Sequence, residues 1–580
     1  MTGGMDAVAL LLAGGAPLAL SLLWGLPSLR PRIRQLAPWA ALPALLLSLF
    51  GAPGPTVDLD WLLFGARLGL TPTTQVFLFL TALVWTAAGI HWRTHRRDGD
   101  HCERFCVLWL LTMTGNLGLI LALDVALFYT SFALMTFSAY GLIVHYGSDA
   151  ARRAGRVYLV LGVIGESLIL VGLLLAALAT DAPLLPMLAD LPEAIAGSAY
   201  RDLIIASLWL GFGVKAGLPL LHFSLPLAYA ESPLPVAAAL AGAMLNAGLL
   251  GWLVTLPLGA AGLQDWGWIV LGTGLFAAFA GALVGIHQDR PQLVLAYSSI
   301  SQMGLISVAI GAWLFEPALG PAMAVAITVY ALHHALAKGA LFLGIGVAGH
   351  RTRAPTVLWI GLALPALALV GLMPSGLLAK GSLKNFASAG APLLDAFPQL
   401  LTLLALAAVG TTVLMTRHLW LLRLETARND TPPGGWNGWI LLTAASVFAV
   451  FLLPWWGIDG HWPDTAKSLF GVVWPVLLGV ALSVVAARRL RPWPIPPADV
   501  LVLLTPLPGM ALRAGRALGV TGPAARRLLR HWQARVLARY MSADHRFGRF
   551  TEHLWRRDAS LLFALLLALV ASIGVLGYVH

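Results

Sequence analysis

The chain is dominated by apolar runs of bilayer length. About 20 residues of helix cross a hydrocarbon core roughly 30 Å thick. About sixteen such runs can be read: 6–26, 37–52, 74–92, 105–123, 125–145, 157–179, 203–221, 234–256, 267–286, 293–313, 320–348, 356–379, 394–415, 437–456, 467–487 and 559–578. Within lipid every backbone N–H and C=O must be paired inside the protein, which leaves helices or closed barrels. Runs this long select helices. With 59% hydrophobic and 11% charged residues and a mean hydropathy of +0.81, the expected fold class is an all-α polytopic membrane protein of about 16 transmembrane helices.

The intervening loops order these spans. Alternate loops are basic: Arg30, Arg32 and Arg34; Arg93, Arg96 and Arg97; Arg152, Arg153 and Arg156; Arg351 and Arg353; Arg417 and Arg423. The others are acidic or neutral, with Asp58 and Asp60, Asp181, Asp190 and Glu193, Asp265, Glu316, Asp395, Asp459 and Asp464. Lys and Arg mark the cytoplasmic side. Sixteen spans then put both termini on the outer, periplasmic side of a bacterial inner (plasma) membrane. The first run has no basic n-region or small-residue cleavage site, so it is expected to remain as a span.

Six regions follow. Residues 1–104 hold the N-terminal helices and, over 53–73, an alternating apolar pattern that predicts an external hairpin. Residues 105–256 and 267–415 form two five-helix blocks. Five is odd, so consecutive blocks insert with opposite orientation, and such inverted repeats carry broken helices near the midplane. GFGVKAGLP (211–219) and GLMPSGLLAKGSL (371–383) are the candidate breaks. Residues 437–487 supply the C-terminal helices and 559–580 the final transmembrane helix. Between them, 488–558 is a basic amphipathic segment with Arg513, Arg516, Arg526, Arg527, Arg530, Arg535 and Arg539 around Trp532. It is expected to lie on anionic lipid at the inner interface. Its tether between two spans argues against nucleic acid as a partner.

A few ionisable residues stand inside the apolar runs. A lysine at the bilayer centre costs about 3 kcal/mol on insertion scales, and Lys215, Lys338 and Lys380 all lie there, with Glu166, His222, His333 and His334. His334 and Lys338 are four residues apart and share a helix face. Such groups pass protons or respond to a neighbour's charge. A single histidine of this kind is more often a satisfied packing residue, and Glu166 alone reads as a carboxyl kept protonated by desolvation. Lysine stacked on histidine suggests a hydrated file instead.

Two cysteines exclude a disulfide scaffold or a cysteine-held iron–sulfur cluster. His95, His101, Cys102 and Cys106 cluster in loop 93–106 but match no metal-ligand spacing, so no metal or cofactor is expected. No Rossmann fingerprint, P-loop or nucleophile elbow is present.

Four stretches together resemble a known family: KAGLPLLHFSLPLAYAESPLPVAAALAGAML from Lys215, AYSSISQMG (296–304), HHALAKGALFLG (333–344) and GLMPSGLLAKGSL (371–383). The chain resembles the antiporter-like membrane subunits shared by respiratory complex I, Mrp-type cation/proton antiporters and group 4 membrane-bound hydrogenases. The lateral basic segment resembles the long, distal-type form. The resemblance implies that Lys215 is the proton-exchanging lysine of the first half-channel. His334 and Lys338 match the connecting positions of the second, and Lys380 its exit-side lysine.

Two departures mark a divergent branch. The family's fifth-helix glutamate falls at Ala133 in FYTSFALM, and Asn246 stands where a Lys or His is usual. Glu166, one helix later, is the candidate replacement carboxylate. Asn246 can hold a water but cannot titrate. The implied function is H+ (or Na+) translocation in a multisubunit energy-coupling complex. With no redox centre of its own, the chain is at most the translocating subunit of an oxidoreductase. The expected partner is a redox arm, Mrp-type subunits, or a soluble zinc protein in a two-component inorganic-carbon (CO2/bicarbonate) uptake system. A structural scaffold with a vestigial channel is the remaining alternative.

Overall fold

With no water to satisfy them, the backbone groups of the apolar runs pair within each run, and the chain is almost wholly helical. The computed structural model describes residues 2–489 apart from 64, 96–101, 182–185, 350–353, 386–391, 427–434 and 464–465. The basic segment 488–558, beyond its first two residues, and the last expected span lie outside the described residues. Among those described, thirteen helical stretches are long and apolar enough to cross a membrane, and Leu469–Val485 is a shorter apolar helix. The chain is an all-α polytopic membrane protein.

Helices α1 (Thr2–Leu23), α2 (Arg30–Leu36) and α3 (Leu42–Phe50) lead into a small antiparallel hairpin. The second run is thus entered earlier than expected, because 27–50 is helical apart from a turn at Ala40 and Ala41. Strands β1 (Thr56–Leu59) and β2 (Ala66–Gly69) pair with Thr56 opposite Gly69. Then come α4 (Pro72–His95), α5 (Cys102–Leu121), α6 (Val125–Ile143) and α7 (Asp149–Leu178). Asp124 ties hairpin to helix. Its carboxylate caps α6 by accepting from the Leu127 N–H at 2.8 Å and accepts from the Arg67 N–H at 2.8 Å.

After α8 (Leu191–Gly197), helix α9 (Arg201–Ala216) stops short of the expected 221. Gly217 takes φ +85°, a left-handed conformation that ends a helix and that glycine adopts freely. Leu220, at φ +69°, shares the break, and α10 (Ser224–Glu231) resumes beyond it. The second break has the same chemistry. Helix α16 (Pro355–Val370) ends at Gly371, φ +101°, and α17 (Pro374–Leu383) restarts on a proline.

Between the breaks run α11 (Leu234–Ala239), α12 (Leu245–Thr255), α13 (Gln264–Ile286), α14 (Pro291–Phe315) and α15 (Gly320–Ala348). A single π-helical turn, Leu240–Met244, joins α11 to α12. The chain continues through α18 (Pro392–Ala396), α19 (Leu400–Thr426), α20 (Trp436–Phe448) and α21 (Ala466–Arg489). Helix α14 is buried along its length, whereas α7 turns one face outward, so the centre of the bundle lies on the α14–α15 side.

Small residues set how closely the helices approach, as they must where lipid offers no hydrophobic drive. A Cβ on Gly211 would meet the Ile169 nitrogen at 2.9 Å and the Gly165 carbonyl at 3.0 Å. That contact locks α9 onto α7.

Candidate functional site

Helical spacing gathers the first site. On α7, Tyr158, Gly162, Gly165, Glu166 and Ile169 recur at the period of one helix face. Facing them are Gly211, Val214 and Lys215 of α9, and Phe132 and Thr136 of α6. Apart from Tyr158, these residues line a cavity of about 10 Å³, room for about one water molecule.

The Lys215 ammonium donates to the Tyr158 hydroxyl at 2.6 Å. It also stands 4.6 Å from the Tyr158 ring centroid and 6.0 Å from that of Phe132, within cation–π range. Glu166 is 4% exposed, and neither carboxylate oxygen has a hydrogen-bond partner among the described residues. An unpaired buried carboxyl is costly unless a charge or a water answers it. The Lys215 ammonium lines the same cavity and lies within electrostatic reach of Glu166. Ala133 is half-buried on α6 and does not line the cavity.

The other candidates fall in separate places. His222 sits in the first helix break, half-buried, stacked 4.5 Å from Phe223 and edge-on to Tyr297 at 6.1 Å. Asn246 is buried and donates to its own helix, to the Gly242 carbonyl at 2.7 Å, while its Oδ1 has no partner among the described residues. The helix segment carrying Asn246 touches both halves. A Cβ on Gly248 would meet Lys215 Cβ at 3.2 Å, and one on Gly242 would meet the Ala335 carbonyl, next to His334, at 2.8 Å.

On α15, His333 Nδ1 lies 3.1 Å from the Ser375 hydroxyl, which donates to the Ser446 carbonyl at 2.5 Å. Ser375 thereby links α15, α17 and α20. His334 has no hydrogen-bond partner at either nitrogen among the described residues and lies within electrostatic reach of Lys338 and His333. Lys338 and Lys380 are buried and donate to backbone carbonyls, Leu295 at 2.9 Å and Val370 at 2.7 Å.

Sequence reading missed Tyr158, Thr136, Ser375 and the Tyr330–Gln302–Thr411 hydrogen-bonded chain. Only Tyr158 left a signal, its place on the Glu166 face of α7. Of the loop cluster 93–106, His101 lies outside the described residues. Cys106 is buried in α5, and among the described residues no group of three or more potential ligands could hold a metal.

The profile of one family, described as NADH:quinone oxidoreductase/Mrp antiporter, transmembrane, matches residues 122–422, just over half of the chain and the whole of the site. The chain belongs to this family. Its relatives include a probable K+/H+ antiporter protein of Rhizobium meliloti, 29% identical over 58% of this chain and 33% of that one. An NADH-quinone oxidoreductase protein of Desulforudis audaxviator is 32% identical over 52% of this chain and 60% of that one. The chain thus spans less than two thirds of either relative. The fold is shared with a chain of the Mrp complex from Dietzia sp., with a TM-score of 0.69 at 24% identity over 98% of this chain and 63% of that chain.

Proposed function

We propose that this chain is the proton-translocating membrane subunit of a multisubunit energy-coupling complex, in two inverted five-helix repeats over 105–256 and 267–415. Its region boundaries are those read from the sequence, with both termini on the outer side of the inner membrane. The observation that carries the reading is the cavity where Lys215, hydrogen-bonded to Tyr158, meets the unpaired Glu166. In this reading Lys215 takes and releases the transported proton, and Glu166 holds its charge in place of a carboxylate at Ala133. A water beside Asn246 connects this site to His333, His334 and Lys338, with His222 at the first break and Lys380 at the exit. Family membership supports the assignment, as do relatives named as antiporter and quinone-oxidoreductase subunits. A vestigial scaffold would gain nothing from an unpaired carboxyl beside a lysine in lipid, where each ionisable group carries cost.

The displaced carboxylate favours a second choice of partner. An acid on α7 rather than α6 departs from the usual pattern, which suits a soluble zinc partner in inorganic-carbon uptake as well as a redox arm or Mrp-type subunits. Copurification of the tagged chain from native membranes reads the partner directly. The transport reading itself predicts that Lys215→Ala abolishes coupled ion movement in assembled complex. Full coupling in that variant would sink it.

A further inference from the structure

One buried titratable residue has no part in the site above. His418 of α19 is 0% exposed, and its Nε2 has no hydrogen-bond partner among the described residues. Its Nδ1 lies 3.3 Å from the Pro291 carbonyl. A carbonyl only accepts, so Nδ1 carries the proton and Nε2 is left as the basic nitrogen.

The setting gives that nitrogen a neighbour. Lys338 donates to the Leu295 carbonyl at 2.9 Å. Pro291 and Leu295 are four residues apart on α14, and their carbonyls therefore project from one face about 6 Å apart. Lys338 and His418 hang from successive turns of the same helix edge and lie within electrostatic reach of each other. The ladder continues outward. Arg417 donates to the Gln288 carbonyl at 3.0 Å in the loop before α14. Glu425 lies two turns beyond His418 on α19, within electrostatic reach of Arg290. Arg290 is itself paired with Glu231 at 2.6 Å and partly exposed. His334 is the other titratable group beside Lys338.

We propose that His418 is a proton-relay site joining Lys338 to the arginine-rich end of α14, where Arg290 and Arg417 stand. This rests on the transport reading above and adds a route for its second half. The proton enters and leaves at Nε2: the neutral imidazole takes it from water on the arginine-rich side, becomes imidazolium, and returns to neutral by passing it toward the Lys338 amine. A packing role alone would be served as well by an apolar side chain, which would leave no buried nitrogen without a partner.

Two measurements on the full chain in native membranes test it. A hydrated relay makes position 418 reachable by a small cationic thiol reagent, 2-aminoethyl methanethiosulfonate. His418→Cys should be modified about tenfold faster than Leu414→Cys, one turn earlier on the same helix, with labelling read on the corresponding peptide by mass spectrometry. Equal, slow labelling of both overturns the proposal. His418→Gln can keep the bond to Pro291 but cannot titrate, so it should slow coupled proton movement at least about tenfold. His418→Ala should regain rate with added imidazole. If Lys215→Ala is inactive while His418→Gln runs at the normal rate, the relay fails alone. If Lys215→Ala is fully coupled, the transport reading fails first.

Discussion

Lys215 and Tyr158 meet across the α7–α9 contact, the ammonium donating to the phenol at 2.6 Å. That bond holds a half-buried cation beside Glu166 without joining it to the carboxylate, so a water can stand between them. Tyr158→Phe removes the acceptor and keeps the ring. The expected result is a loss of about 1–2 kcal/mol of stabilisation of the ammonium, read as a roughly tenfold slower coupled ion movement. The amount of assembled complex in the membrane should be unchanged.

Glu166→Gln keeps the shape of the side chain and removes its charge. Coupled movement should fall strongly, by an order of magnitude or more, as expected for loss of a proton-transfer partner. The double variant with Lys215→Ala should be no worse than Lys215→Ala alone, because the two groups act as one unit. Normal rates in the glutamine variant would remove Glu166 from the site.

The glycine seam between α7 and α9 sets the distance between those groups. In Gly211→Ala the added methyl would lie 2.7 Å from Ile169 Cγ1 and 2.9 Å from the Ile169 nitrogen. The helices must then separate, at a cost of about 1–3 kcal/mol. A lower melting temperature of the detergent-solubilised protein, together with slower coupled movement, is the expected pair of results.

Asp124 offers a test of stability away from the site. Its carboxylate answers two backbone N–H groups, Leu127 and Arg67, from a fully buried position. Asp124→Ala orphans both and should cost about 1–2 kcal/mol. Asp124→Asn, which still accepts through its amide oxygen, should lose less. Thermal unfolding of the two variants side by side distinguishes them.

Membrane folding made much of this protein legible from its sequence. Apolar runs of about 20 residues have one solution in lipid, so the helices at 74–92 or 293–313 needed no tertiary knowledge. Gly217 and the Pro374–Gly376 pair announced the breaks, since glycine and proline inside an apolar run mark where a helix is most readily interrupted. Lys215 stood out because its cost in hydrocarbon is too large for a packing residue.

What the amino acids could not state is who meets whom across helices. Tyr158 lies 57 positions before Lys215, Ser375 42 after His333, and Pro291 127 before His418. These pairings depend on which faces turn together, and that is decided by close contacts such as Gly165 on Gly211. The π-helical turn at Leu240–Met244 is likewise invisible in composition, because Ala, Gly, Leu and Met suit an ordinary α-helix equally well. Local periodicity therefore determined the spans, the breaks and the costly charges. Only the packing of one helix against the next decided that the candidate Glu166 would line one cavity with the lysine and that Tyr158 would bond it.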